Sequence, residues 1–162
     1  MSERRPWRST RRSTKARPQK MNSTAILDAF AILAWLQKEP GWQDVRRLFE
    51  QASAGHTNLL ISAINLGEVY YRLCKLRERR TADKFLRSAL GGGFPWQVVP
   101  ASNERVWAAA RIKAEYPVAY ADAFAVALAL EYGAELVTGD PEILALGRAG
   151  VVRVCWHPAG EG

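Results

Sequence analysis

The chain has 162 residues, 48% of them hydrophobic, so we expect one globular domain with a buried core. Its longest uninterrupted apolar run, 123–130, is too short to span a bilayer, and we expect no secretory signal. The two cysteines, Cys74 and Cys155, form no zinc-binding pair and are expected to be reduced thiols in a cytoplasmic protein.

The net charge of +7 belongs to one end of the chain. Residues 1–20 carry eight basic side chains and one acidic one, whereas residues 21–162 carry 15 of each sign and sum to zero. Because the first segment has almost no aliphatic residues, we predict a disordered basic tail. Three interpretations stay open for it: a solvated extension that binds nucleic acid weakly, an over-extended gene start before Met21, or an organellar transit peptide.

Short apolar segments alternate with helical patterns along the rest of the chain. The predicted strands are 24–27, 59–62, 96–99, 135–138 and 151–154. The predicted helices are 29–37, 43–54, 64–76, 81–89, 103–114, 121–131 and a short helix from Pro141. This alternation predicts an α/β domain with a mainly parallel central sheet, in which ligands bind beyond the carboxyl ends of the strands. We place the folded domain at 21–157 and a short flexible C-terminus at 158–162.

Four acidic residues stand where apolar segments become polar: Asp28, Glu68, Asp122 and Asp140. Carboxylates are rarely buried unless they are paired or bind a metal, and two of them about 4 Å apart repel by roughly 4 kcal/mol at an effective dielectric constant near 20. If the fold gathers the four, they need a divalent cation, raised pKa values, or both. An all-oxygen site favours Mg²⁺ or Mn²⁺ over zinc.

Each acid also has a purely structural interpretation. Asp140 precedes a proline and fits a helix N-cap, while Asp122 suits the positive end of a helix dipole. Glu68 lies four residues before Arg72, so the two side chains can form an ion pair on a helix. Asp28 is the hardest to explain in this way, because less costly polar residues suit the end of a strand.

A basic segment follows Glu68. Residues 72–87 carry seven basic and two acidic side chains. The segment is either a solvated helix surface or a contact surface for a phosphate backbone. On one continuous helix much of this charge would lie on one side. Our candidate contacts are Arg72, Lys75, Arg79 and Arg80.

Each of the four acids lies in a short motif, and a further motif covers 108–113. The four acidic motifs are 26–33, 61–69, 120–127 and 136–142. Together these motifs resemble the PIN-domain ribonucleases, specifically the VapC-type toxins of toxin–antitoxin pairs, over about residues 22–154. One departure is Ala29, since many relatives carry Thr or Ser after the first aspartate.

The resemblance implies an α/β/α sandwich with the activity of an Mg²⁺- or Mn²⁺-dependent endoribonuclease, inhibited by a small cognate antitoxin. It makes the four acids the catalytic set, with Asp28 and Asp122 as metal ligands. Asn65 and Thr138 match supporting polar positions, and the basic candidates become RNA contacts. We therefore expect a cytoplasmic toxin that cleaves RNA phosphodiester bonds with a metal-activated water, and we also consider a homodimer.

Two rival functions remain. A phosphatase of the haloacid dehalogenase kind also starts with an aspartate after a strand, but it needs a second aspartate where this chain has Phe30. A degenerate domain that binds RNA or a protein partner without cleavage is the non-enzymatic rival.

Overall fold

In the computed structural model, which describes residues 22–156, five parallel strands form one sheet. The strands are β1 (Ser23–Leu27), β2 (Thr57–Ser62), β3 (Gln97–Val99), β4 (Glu135–Val137) and β5 (Val154–Cys155). The helices are α1 (Ala29–Gln37), α2 (Trp42–Ser53), α3 (Ala63–Leu76), α4 (Arg79–Leu90), α5 (Asn103–Glu115), α6 (Tyr120–Tyr132) and α7 (Pro141–Arg148). The predicted basic tail, 1–20, and the predicted C-terminus, 158–162, lie outside the described residues.

The strand order β3-β2-β1-β4-β5 places a topological switch point between β1 and β4. The chain adds β2 and then β3 on one side of β1, and β4 and β5 are added on the other side. In open parallel sheets, ligands bind at such a point, outside the carboxyl ends of the strands. Leu27 is in register with both Ile61 and Val137, so the residues that follow β1, β2 and β4 meet at one edge.

Helices cover both faces of the sheet, which confirms the α/β/α sandwich. Because side chains alternate along a strand, Leu27 and Ile61 pack against α1 to α4 on one face. Ile26 and Leu60 point the other way and pack against α5 to α7. Both faces of the sheet are therefore buried, which explains why its central strands read as continuous apolar runs.

The last strand differs from the prediction. The segment 151–154 was expected to be a strand, but only Val154–Cys155 pairs with β4. Val151 lies in the turn after α7, where its amide donates to the carbonyl of Leu146 at 3.0 Å, and Val152 is buried in the core without strand pairing. A short apolar run shows burial but does not show whether its backbone pairs.

Among residues 22–156, no helix is both long enough and apolar enough to cross a membrane.

Candidate metal centre

Asp28 directly follows β1 and is the N-cap of α1. Its side chain is only 1% exposed, and Oδ1 accepts a hydrogen bond from the Ala31 amide at 2.9 Å. Its Oδ2 is also buried and has no partner among the described residues. Burial, reinforced by the charges of Asp122 and Asp140, raises the pKa of Asp28 to about 7, although the nearby Thr138 hydroxyl and the hydrogen bond from the Ala31 amide oppose the rise.

Asp122 is the third residue of α6 and is half-buried. Burial is the main reason that its pKa rises to about 7, and the negative charges of Asp140, Glu68 and Glu142 add to the effect. Carboxylates carried by different elements of the fold are therefore close enough to raise one another's pKa values.

Asp140 is the N-cap of α7, as its sequence context predicts. Its Oδ1 accepts hydrogen bonds from the amides of Glu142 at 2.9 Å and Ile143 at 3.4 Å, and Pro141 occupies the first helical turn. Capping is therefore part of the role of Asp140, but a carboxylate has a second oxygen free to bind elsewhere.

Three carboxylates lie close enough to share a cation. One oxygen each from Asp122, Asp140 and Glu142 lie within 4.8 Å of one another. Glu142 was not among the predicted site residues, although its position two residues after Asp140 in the last acidic motif was a usable signal. Its Oε2 also accepts a hydrogen bond from the amide of Ala119, the N-cap of α6, at 3.3 Å, and this contact holds α7 against α6.

Glu68 lies in the second turn of α3, with its side chain 18% exposed. Its Oε1 is 3.7 Å from an Arg72 guanidinium nitrogen, so the structural interpretation of an i,i+4 pair is also realised. Its Oε2 is buried and has no partner within the described residues. Burial and the charge of Asp140 raise the pKa of Glu68, while Arg72 lowers it.

The two predicted supporting residues are fully buried and connect the elements that carry the acids. Asn65 donates from Nδ2 to the carbonyl of Ala121 at 3.0 Å, which fixes α3 beside the first turn of α6. Its Oδ1 is buried and has no hydrogen-bond partner in the part of the chain that the structure describes. The hydroxyl of Thr138 accepts a hydrogen bond from the Asp140 amide at 3.0 Å and so orders the turn that presents Asp140.

The basic candidates do not share one helix. Arg72 and Lys75 lie on α3, whereas Arg79 and Arg80 begin α4. The condition of one continuous helix is not met, because Arg77 adopts extended backbone angles, which end α3. All four side chains are exposed.

The donor set fits a hard divalent cation. The acids supply carboxylate oxygens, and two of those oxygens, Oδ2 of Asp28 and Oε2 of Glu68, are buried without a partner among the described residues. A buried carboxylate oxygen without a partner is costly unless it is protonated or bound to a cation. Mg²⁺ and Mn²⁺ prefer oxygen ligands of this kind.

Comparison with known proteins places the chain in a family. The sequence model of the PIN domain matches residues 25–149, which is most of the chain. Among curated protein sequences, none gives a significant match.

Solved structures with low sequence identity have a similar fold. VapBC2 from Rickettsia felis, solved bound to a DNA fragment from its promoter, matches with a TM-score of 0.62 and 17% identity, over 83% of this chain and 99% of that chain. DNA-bound VapBC from Salmonella typhimurium matches with a TM-score of 0.61 and 19% identity, over 82% and 97%. VapC20 from Mycobacterium tuberculosis, a toxin that cleaves the sarcin–ricin loop, matches with a TM-score of 0.61 and 16% identity, over 76% and 95%. The fold and the family match agree, and the chain belongs to the PIN domain family.

Proposed function

We propose that this protein is a metal-dependent endoribonuclease and the toxin of a toxin–antitoxin pair. The observation that carries the proposal is the convergence of acids from α1, α3, α6 and α7 beside the switch point of a PIN fold. The unpartnered oxygens of Asp28 and Glu68 support it, because a cation would satisfy both.

In this proposal Asp28 and Asp122 hold Mg²⁺ or Mn²⁺. The grouping of Asp122, Asp140 and Glu142 supports Glu142 as a further oxygen donor beside the predicted set. When bound, the cation would activate a water and offset negative charge that develops on the phosphoryl oxygens.

The other polar residues keep these groups in place. Glu68 and Asp140 would complete the site or orient the attacking water by accepting hydrogen bonds from it. Thr138 holds the turn before Asp140, and Asn65 holds α3 against α6. Because Asn65 and Thr138 are fully buried and Asp140 caps α7, these parts of the site are ordered before substrate binds.

The partner and substrate assignments rest on the structural neighbours. Two of them are VapBC proteins and a third is a toxin that cleaves the sarcin–ricin loop. We assign this chain a cognate antitoxin and an RNA substrate on that basis, and place its action in the cytoplasm. The exposed basic residues on α3 and α4 are the proposed phosphate contacts: Arg72, Lys75, Arg79 and Arg80.

The test is cleavage of total RNA by the purified protein in Mn²⁺, Mg²⁺ or EDTA. We expect cleavage only with a cation, and a loss of roughly a hundredfold or more in Asp28→Asn and Asp122→Asn. Asp44→Asn is the matched control, because Asp44 is a partly exposed acid on α2 that pairs with Arg47. It should cleave like the wild type.

Retained cation-dependent cleavage in either site variant would contradict the assignment of these acids. RNA binding by the wild type with no cleavage in any cation would instead support the non-cleaving domain. If the wild type does cleave, mapping the cut positions identifies the target, and co-expression with the product of a neighbouring gene should suppress cleavage if that gene encodes the antitoxin.

A further inference from the structure

One row of side chains along α3 joins the acidic site to the exposed surface. Glu68, Tyr71, Arg72 and Lys75 recur at i, i+3, i+4 and i+7, which places them on one side of a helix. The buried side of α3 is different and consists of Asn65, Leu66, Val69 and Leu73. The row is therefore not part of the hydrophobic core.

Tyr71 is an unusual residue to find in such a row. The residue is 49% exposed, so about half of its surface is open to a ligand. The Lys75 ammonium lies 5.3 Å from the centroid of its ring, and the Arg72 side chain, 50% exposed, is its neighbour on the helix. An exposed aromatic ring with cations on the same side of the helix is a combination that stacks a base and contacts nearby phosphates.

We propose that Tyr71, Arg72 and Lys75, here called the α3 strip, bind unpaired nucleotides of an RNA strand next to the scissile phosphate. The base stacks on Tyr71, and Arg72 and Lys75 contact neighbouring phosphates of the strand. This inference rests on the proposed ribonuclease function and names Tyr71 as the residue that recognises an unpaired base.

The position of the strip supports this assignment. Tyr71 and Lys75 lie about 4.5 Å and about 10 Å beyond Glu68 along the helix axis, which matches the span of one or two nucleotides. Arg72 already contacts Glu68 at 3.7 Å, so its guanidinium lies at the boundary between the acids and the strip. A strand that leaves the acidic site along α3 therefore meets these three residues first.

The same chemistry selects against paired RNA. Stacking needs a free base face, and both faces of a base inside a duplex are covered by its neighbours. The strip therefore favours single-stranded RNA over duplex RNA. Phosphate contacts alone position the strand and do not read its bases.

The test measures the affinity of the full-length protein for a labelled single-stranded RNA and for a duplex of the same sequence. EDTA is present throughout, so that no metal-dependent cleavage occurs. We expect Tyr71→Ala to weaken single-strand binding roughly five- to hundredfold, and Tyr71→Phe to bind within about twofold of wild type, because stacking needs the ring and not the hydroxyl. Duplex binding should not change in either variant. Lys75→Gln should lower the slope of log affinity against log salt concentration by about 0.7 for the single strand.

Tyr132→Ala is the matched control. Tyr132 is 45% exposed, but it is the last residue of α6, ten residues after Asp122, and so lies far from the acids. It should bind single-stranded RNA like the wild type.

Three results would overturn the proposal: equal affinities in Tyr71→Ala and Tyr132→Ala, equal losses in Tyr71→Ala and Tyr71→Phe, or equal losses for duplex and single strand. A polyglutamate peptide that binds wild type but not Tyr71→Ala, with RNA binding unchanged, would assign the strip to a protein partner instead. Because binding is measured without metal, it separates the strip from the nuclease activity. If Tyr71→Ala loses single-strand affinity but the wild type does not cleave RNA in Mn²⁺, only the proposed function is refuted. If the wild type cleaves but Tyr71→Ala binds single strands normally, only the role of the strip is refuted.

Discussion

At the residue scale, Asp28 is the most deeply buried carboxylate of the candidate site. Its backbone cap satisfies one oxygen, while the other is buried without a partner among residues 22–156. Neighbouring negative charges make the ionised form still less favourable. In the absence of a cation, the folded protein therefore binds a proton at Asp28 more tightly than the unfolded chain does.

This predicts that the metal-free protein loses stability as the pH rises. The pKa of Asp28 is about 7 when folded and 3.8 in its ordinary state, so the stabilising effect is complete below about pH 3.8 and is lost as the pH rises through about 7. For Asp28 alone the loss is of the order of 4 kcal/mol, and the raised pKa of Asp122 acts in the same direction. Urea unfolding in EDTA should show a lower midpoint at pH 8 than at pH 5.

In Asp28→Asn the urea midpoint should depend less on pH and should be higher at pH 8 than that of the wild type, because the buried charge is gone. Asp44→Asn, which alters a surface ion pair, should keep the wild-type dependence. A wild-type midpoint that stays level or rises between pH 5 and pH 8 would show that Asp28 is not held in this environment.

At the scale of elements, the turn between β4 and α7 depends on a glycine. A Cβ at Gly139 would lie 2.6 Å from ring atoms of both Phe30 and Trp156, which pack edge to face with centroids 5.5 Å apart. Gly139 stands between Thr138 and Asp140, so a side chain there displaces either the rings or the site. The turn and the aromatic pair are therefore packed as one unit.

We predict that Gly139→Ala lowers the free energy of unfolding by about 1–3 kcal/mol and weakens Mn²⁺ binding. Gly67→Ala is the control for stability, because a Cβ at this exposed position on α3 meets nothing within 4 Å. It should stabilise the protein by up to about 1 kcal/mol, since alanine favours a helix over glycine. Unchanged stability and Mn²⁺ affinity in Gly139→Ala would show that the turn adapts easily.

The sequence predicts some elements well, for physical reasons that can be named. The extents of β1 and α1 follow from an apolar run and an aspartate N-cap, and Gly133 ends α6 in the left-handed conformation that favours glycine. The convergence of Asp28 and Asp140, which lie just beyond β1 and β4, follows from the rule that ligands bind beyond parallel strands.

The sequence does not predict which carboxylates come closest together. The proximity of Glu142 to Asp122 depends on how α7 packs against α6, through the contact between Glu142 and the amide of Ala119. That contact joins segments 23 residues apart and has no local signal. The unpaired Val151 and Val152 were missed for the same reason, because pairing is a tertiary property.

For the whole molecule, the net charge lies at one end of the chain. Residues 1–20 carry the net charge of +7, while residues 21–162 sum to zero. We predict that deletion of 1–20 removes most non-specific RNA affinity and reduces its salt dependence, because fewer phosphates are neutralised. Folding and the cation dependence of cleavage should be unchanged.

A full-length variant with the eight basic residues of the tail replaced by glutamine controls for length and should behave like the deletion. Filter binding over a range of salt concentrations measures the effect. Equal affinity and equal salt slope in all three proteins would show that the tail takes no part in RNA binding.

The central claim is that acids from four helices form one divalent cation site. Calorimetric titration of Mn²⁺ into the metal-free protein near pH 7 tests it most directly. We expect saturable binding that releases protons, because cation binding deprotonates carboxylates whose pKa values lie near 7. Affinity should fall roughly tenfold or more in Asp28→Asn and in Asp122→Asn, but not in Asp44→Asn. No saturable binding by the wild type, or the same affinity in all four proteins, would contradict the claim.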